Sequence, residues 1–222
     1  QNFQVIQKQI VPSSGIIKNK FVNIQEACEE VKKNIALIEK NLNYIFKETI
    51  VIIDNFDHSC INISGYKKLN GSQVLKENIS YILNSLKLEV TEIEKQKTIL
   101  HIFNSKSILD ETSTENLPIG LFGDFYSHEL TFFLIGKNDL KNIQKIFNKN
   151  NLSIKKLILK NFNEGTQLIN YHKNIETFFK IKIDEEIGQI FFFDNASYRY
   201  SENFNFGSNI ILRDIEKICS ID

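Results

Sequence analysis

Three quoted runs decide the fold: T-I-L-H-I-F at Thr98–Phe103, L-P-I-G-L-F-G at Leu117–Gly123 and H-E-L-T-F-F-L-I-G at His128–Gly136. The first and third are short, apolar and rich in β-branched or aromatic residues, which predicts strands at Thr98–Phe103 and Glu129–Ile135. Between them Pro118, Gly120 and Gly123 punctuate a loop. Upstream, a strand is expected near His58–Ser64, and a helix from about Ser72 with Val74, Leu75, Ile79, Ile82, Leu83 and Leu86 inward. The block therefore reads strand, helix, strand, strand.

On its N-terminal side, Thr49–Ile53 is apolar on both parities, which predicts a central strand buried on both faces. Before it, Asn23 with Glu26 three residues on resembles a capping box, opening a helix that carries Ile24, Ala27, Cys28, Val31, Ile35, Ile38 and Leu42 at helical spacing. Phe3, Val5, Ile6 and Ile10 interleave with Gln and Lys, so residues 3–10 read as a half-buried strand entering a Pro12–Gly15 turn. On the C-terminal side, Asn138 caps a helix with Leu140, Ile143, Ile146 and Phe147 inward. A strand Ile154–Leu159, a helix Glu164–His172, an apolar strand Ile190–Phe193 and a last helix within Gly207–Ile218 follow. The order is α/β. With no repeat, low-complexity tract or long linker, any second domain is inserted between strands.

Composition narrows the function. The 222 residues carry 27 basic and 27 acidic side chains, so no excess positive potential is available for a nucleic acid. Three scattered cysteines, Cys28, Cys60 and Cys219, make no C-x-x-C and read as reduced, small core residues. No run approaches a membrane span and no signal-peptide pattern opens the chain. The sequence starts at Gln1 without any methionine, which predicts residues ahead of it. His58, His101, His128 and His172 have no metal-ligand spacing; His101 and His128, on neighbouring strands, read as hydrogen-bonded strand residues. No G-x-S-x-G elbow marks a nucleophile, so no catalytic residue is assigned.

The three runs in this order resemble the FtsA family of bacterial actin-like cell-division proteins, whose corresponding stretch has a V-L-H-V-I strand, an N-P-I-G-L-x-G loop and a strand entering a helix near an Asn. Pro12–Gly15 with Asn19 resembles the family turn P-S-x-G-x-x-x-G-x-V-x-D, N-L-S-I-K-K-L-I-L at Asn151–Leu159 resembles G-L-x-V-x-x-L-x-L, and Phe206–Ile215 resembles the helix opening after the second phosphate loop. The resemblance implies an actin-like (ribonuclease H-like) fold, incomplete at both ends. Residues 1–54 would be part of subdomain 1A, 55–135 the inserted β-α-β-β subdomain 1C, 136–186 the return of 1A and 187–222 the start of 2A. It further implies filament formation by self-association, FtsZ and later division proteins as partners, and a place at the inner face of the cell membrane through a C-terminal helix beyond Asp222.

The family binds ATP with Mg²⁺ between two Gly-rich hairpins, the first of which would precede Gln1. The second, D-I-G-G-G-T, aligns with Asp194–Asn195–Ala196–Ser197–Tyr198–Arg199, where the Asp is kept and the glycines are lost. Asp194, Asn195, Ala196 and Ser197 are thus a degenerate phosphate loop, Tyr198 puts a ring where backbone should meet phosphate, and no ATP is expected to bind. The aromatics Phe122, Phe125, Tyr126, Phe132 and Phe133 surround the Gly-rich loop. Leu117, Pro118, Ile119, Phe122, Phe125 and Tyr126 are therefore the expected partner-contact residues. A sugar-kinase or chaperone-like ATPase of the same superfamily and a stand-alone interaction module are the alternatives; the first would be expected to keep its glycines and lack L-P-I-G-L-F-G.

Overall fold

A computed structural model describes residues 4–17, 20–54, 56–114, 116–172 and 174–219. Phe3, Asn19 and Asn55, used in the readings above, lie outside the described residues. In chain order the elements are β1 (Ile16–Ile17), β2 (Lys20–Phe21), α1 (Ile24–Leu42), β3 (Glu48–Ile53), β4 (His58–Lys68), α2 (Lys76–Ile93), β5 (Lys97–Leu109) and β6 (Thr112–Thr114). They continue with β7 (Phe125–Gly136), α3 (Lys137–Asn148), β8 (Ser153–Leu159), α4 (Lys160–Tyr171), β9 (Phe178–Ile183), β10 (Gly188–Asp194), β11 (Ser197–Phe204) and α5 (Ser208–Cys219). The fold is mixed α/β, in two compact units: Gln1–Asp57 with Ile135–Lys160, and His58–Leu134 with Asn161–Asp222.

In the first unit, Asn23 Oδ1 accepts from Gln25 N at 3.0 Å and Glu26 N at 3.3 Å, while its amide donates to Glu26 Oε1 at 2.7 Å. The first two bonds satisfy orphan donors at the start of α1, but only half of the expected capping box forms, since Glu26 takes the Asn23 side-chain amide while the Asn23 backbone N–H donates to Gly15 O at 3.0 Å. Gly15, at φ +73°, brings its carbonyl to Val22 N and Asn23 N; a Cβ there would collide with Asn23 O and Ala27 N. Ala27 and Cys28 of α1 bury against Ile146 of α3, with Phe21, Val31 and Phe147 around them. β3 and β8 pair in parallel.

Two expectations fail in this unit. Residues 4–10 form no strand: Val5, Ile6 and Ile10 are exposed, since alternation makes a strand only where a neighbour takes its hydrogen bonds. Nor is β3 buried on both faces: among the described residues it pairs only with β8, leaving Ile50 55% and Ile52 50% exposed.

The second unit holds a four-stranded sheet ordered β4-β7-β5-β6 and a three-stranded antiparallel meander β11-β10-β9. Ile82, Leu86 and Val90 of α2, spaced one helical turn apart, bury against Leu130, Phe132 and Leu134 of β7. Gly65 of β4 lets the helix lie close, since a Cβ there would stand 2.7 Å from Ile82. The helix begins at Lys76 rather than near Ser72 because Asn78 Oδ1 receives Leu75 N at 2.7 Å; Leu75 itself is half exposed, not inward. β6, β9 and β11 are strands beyond those expected. β6 follows from Asp110 and Glu111, whose positive φ angles of +46° and +68° make a two-residue turn.

Candidate functional site

The meander ends in a tight hairpin. Asp194 pairs with Ser197, and Asn195 and Ala196 turn the chain at φ +47° and +60°, the left-handed geometry of a primed hairpin turn. Its N–H groups face protein rather than solvent: Asn195 N donates to Thr177 Oγ1 at 3.1 Å and Ala196 N to Glu176 O at 2.8 Å. Thr177 Oγ1 donates to Asp194 Oδ1 at 3.1 Å, and Ser197 Oγ donates to Asn104 O of β5 at 2.7 Å.

After the turn β11 crosses one face of the four-stranded sheet. Tyr198 is fully buried, stacked on Phe133 at 4.2 Å and on Phe193 at 4.7 Å, with Phe103 and Phe162 closing the cluster. Burial pushes its phenol pKa well up. The Arg199 carbonyl accepts from Cys60 Sγ at 3.4 Å and Asn62 Nδ2 at 3.3 Å, and the same burial raises the Cys60 thiol to about 11. The Arg199 guanidinium lies 3.4 Å from Asp194 and 4.0 Å from Glu129.

Polar side chains line the sheet beneath. Asn104 Oδ1 can only accept, so His128 Nε2, 3.3 Å away, carries the proton; Nδ1 then accepts from the Tyr126 hydroxyl at 2.5 Å. Burial lowers the His128 pKa and raises that of Tyr126. Ser105 bonds Thr131 at 2.5 Å, and Thr131 donates to Asn62 Oδ1 at 2.6 Å. His101 packs on Phe103 and Phe162 instead of joining His128, and burial takes it down to about 4. Among the described residues no group of three His, Cys, Asp or Glu side chains could hold a metal.

Leu117, Ile119, Leu121, Phe122 and Phe125 are exposed on the Gly-rich loop, Phe122 at 69%. Pro118 is buried within the loop and Tyr126, in β7, is buried in the core against α2, so neither is exposed for contact. The loop runs along residues 69–75: Leu69 N reaches Asp124 O at 2.7 Å, Val74 N reaches Leu121 O at 2.9 Å and Gly120 N reaches Val74 O at 2.9 Å. Gly120 sits at φ +88°, and a Cβ on Gly123 would press on Leu109 and the Asp110 carboxylate. That carboxylate accepts from Asp124 N at 2.9 Å and Phe125 N at 2.8 Å. Leu117 also lines a cleft of about 1150 Å³ with Asp194, Asn195, Ala196 and Ser197, so one end of the Gly-rich loop and the hairpin turn border the same cleft.

A magnesium triphosphate draws on free backbone N–H groups and positive potential; at this turn the Asn195 and Ala196 N–H groups are bonded to protein, Asp194 and Glu176 line the cleft, and Arg199 lies beside carboxylates. The other turn of the meander, Asp184–Ile187, carries Glu185 and Glu186. There the first N–H groups of α5, at Ser208 and Asn209, already bond the Asp184 and Glu185 carbonyls at 3.0 Å.

No protein-family model and no curated protein matches the chain. Solved structures do. A PilM–PilN type IV pilus biogenesis complex aligns over 96% of this chain and 58% of its own at a TM-score of 0.57 and 10% identity. A Bacteroides thetaiotaomicron protein of unknown function, described as having an actin-like ATPase fold, aligns over 88% of this chain and 63% of its own at a TM-score of 0.35 and 10% identity. The chain shares the fold of the pilus structure, the actin-like fold expected from its sequence. The chain spans 58% of the length of the pilus structure it matches.

Proposed function

We propose that this chain acts by protein contacts, as an actin-like scaffold of the FtsA type that self-associates into filaments. In the cell it would link the FtsZ ring to the inner face of the membrane at the division site. Subdomain 1A would comprise residues 1–54 and 136–186, 1C residues 55–135, and 2A would start at 187. One observation carries the contact reading: five apolar side chains stand exposed together on a loop whose backbone is hydrogen-bonded on both sides. The division assignment is supported by the L-P-I-G-L-F-G run. The likeness to a pilus-biogenesis complex supports a second reading, a scaffold in pilus assembly.

Sedimentation velocity tests the contact. Phe122 is exposed, so Phe122→Asp leaves the core intact, and the wild type should associate with rising concentration while F122D remains monomeric. A wild type monomeric throughout, or association unaffected by F122D, would sink the proposal. Division and pilus roles separate on whether the protein co-sediments with FtsZ polymers.

A further inference from the structure

The cleft beside the contact loop has one wall made by a sheet edge. β6 is the last strand of the order β4-β7-β5-β6. The two-residue turn at Asp110–Glu111 makes Leu109 and Thr112 the closing hydrogen-bonded pair, so the next pair, Ile108 with Ser113, is the non-hydrogen-bonded one. The Ser113 N–H and C=O therefore point away from β5, toward the open edge. Ser113 lines the cleft, with Ser105, Ser107 and Thr114 nearby, and the Asp194–Ser197 turn and Glu176 form the facing wall.

We infer that this cleft takes an extended polypeptide segment of a partner protein, added as a strand to β6. This rests on the proposed function only in taking the chain to work through protein contacts. The volume of about 1150 Å³ exceeds the roughly 300–1,000 Å³ of ordinary small-molecule pockets. The lining also suits a peptide backbone, supplying a strand edge and the exposed amides of Asn104, Asn116 and Asn195 but little apolar surface for a ring. Charge narrows the occupant further. Among the described lining residues Arg199 pairs with Asp194, while exposed Glu176 stands on the hairpin side and exposed Lys106 on the β5 side. The segment should thus carry a basic residue toward the hairpin and an acidic one over β5, with an apolar residue against Leu117 where the cleft meets the exposed loop.

The probe is a random peptide library displayed on phage and panned on the whole chain, with selected peptides measured by fluorescence polarisation. Ser113→Pro removes the outward N–H at an edge position that tolerates proline. It should weaken selected peptides about ten-fold, or about 1.4 kcal/mol, without altering sedimentation behaviour. Glu176→Lys, which leaves the backbone untouched, should shift the selected sequences from basic to acidic residues. Peptides that bind wild type and S113P alike, or a selection yielding nothing above background, overturn the cleft assignment. F122D tests the loop separately: it should abolish self-association while sparing peptide binding, so the two readings fail on different measurements.

Discussion

Replacing Tyr198 in two ways tests how the hairpin is held. Its ring is fully buried between Phe133 and Phe193. Truncation to alanine removes an aromatic side chain from a packed cluster, at a cost of about 3–5 kcal/mol. At roughly 2–4 °C per kcal/mol for a chain of this size, the melting temperature of the second unit should fall by about 10 °C. The hydroxyl behaves differently. It is buried with no partner at hydrogen-bonding geometry, the Ser201 hydroxyl being a polar neighbour that only partly offsets the burial. A lone buried hydroxyl costs about 1–3 kcal/mol, so Tyr198→Phe should be neutral or stabilising by up to about 1 kcal/mol. Urea unfolding followed by tyrosine fluorescence and far-UV circular dichroism measures both. If Y198F loses more than about 1 kcal/mol, the hydroxyl is bonded and the reasoning fails; if Y198A loses less than that, the hairpin is not packed as described.

Ala196 occupies the left-handed region at φ +60°, where a Cβ costs about 1–2 kcal/mol, so Ala196→Gly should raise the urea midpoint by the equivalent of about 1 kcal/mol. His101 is held near 4 against an ordinary 6.5. The unfolded chain therefore binds the proton first, so stability is full above pH 6.5 and declines as pH falls toward 4; an NMR titration placing His101 at 6 or above would contradict this. Mg-ATP at millimolar concentration should leave the melting temperature unchanged, whereas a ligand at a hundred times its Kd would add about 2.7 kcal/mol. Exposed Cys219 should react with a maleimide in the native state, while Cys28 and Cys60 react only on unfolding.

Helices were the legible part, because each carries its own signal. Asn23 and Glu26 start α1 where the sequence predicts and α5 begins at Ser208 as expected, whereas α3 starts at Lys137, with Asn138 inside it rather than capping it, and α4 starts at Lys160, four residues ahead of Glu164. Strands were harder, since a strand is defined by a neighbour the sequence does not name. Residues 4–10 alternate without a partner, while S-Y-R-Y-S-E-N-F, with little apolar alternation, forms β11 because β10 supplies its hydrogen bonds. β5 runs to Leu109, past Phe103, because Ser105 and Ser107 find buried partners in Thr131 and Tyr126. At the site, the lost glycines were readable, but the capture of the turn N–H groups by Thr177 and Glu176 was not. Those partners lie some twenty residues upstream, and no local pattern marks them.

The Asp110 carboxylate has a consequence for any partner of the loop beside it. By taking the N–H groups of Asp124 and Phe125, it restrains the backbone that carries Phe122 and Phe125 before a partner arrives. Ordering a free loop would drain much of the energy gained on contact. Here that entropy was lost when the chain folded, so each apolar side chain on the loop meets its partner already in place, and Asp110→Ala should slow capture by a partner without touching the surface it recognises.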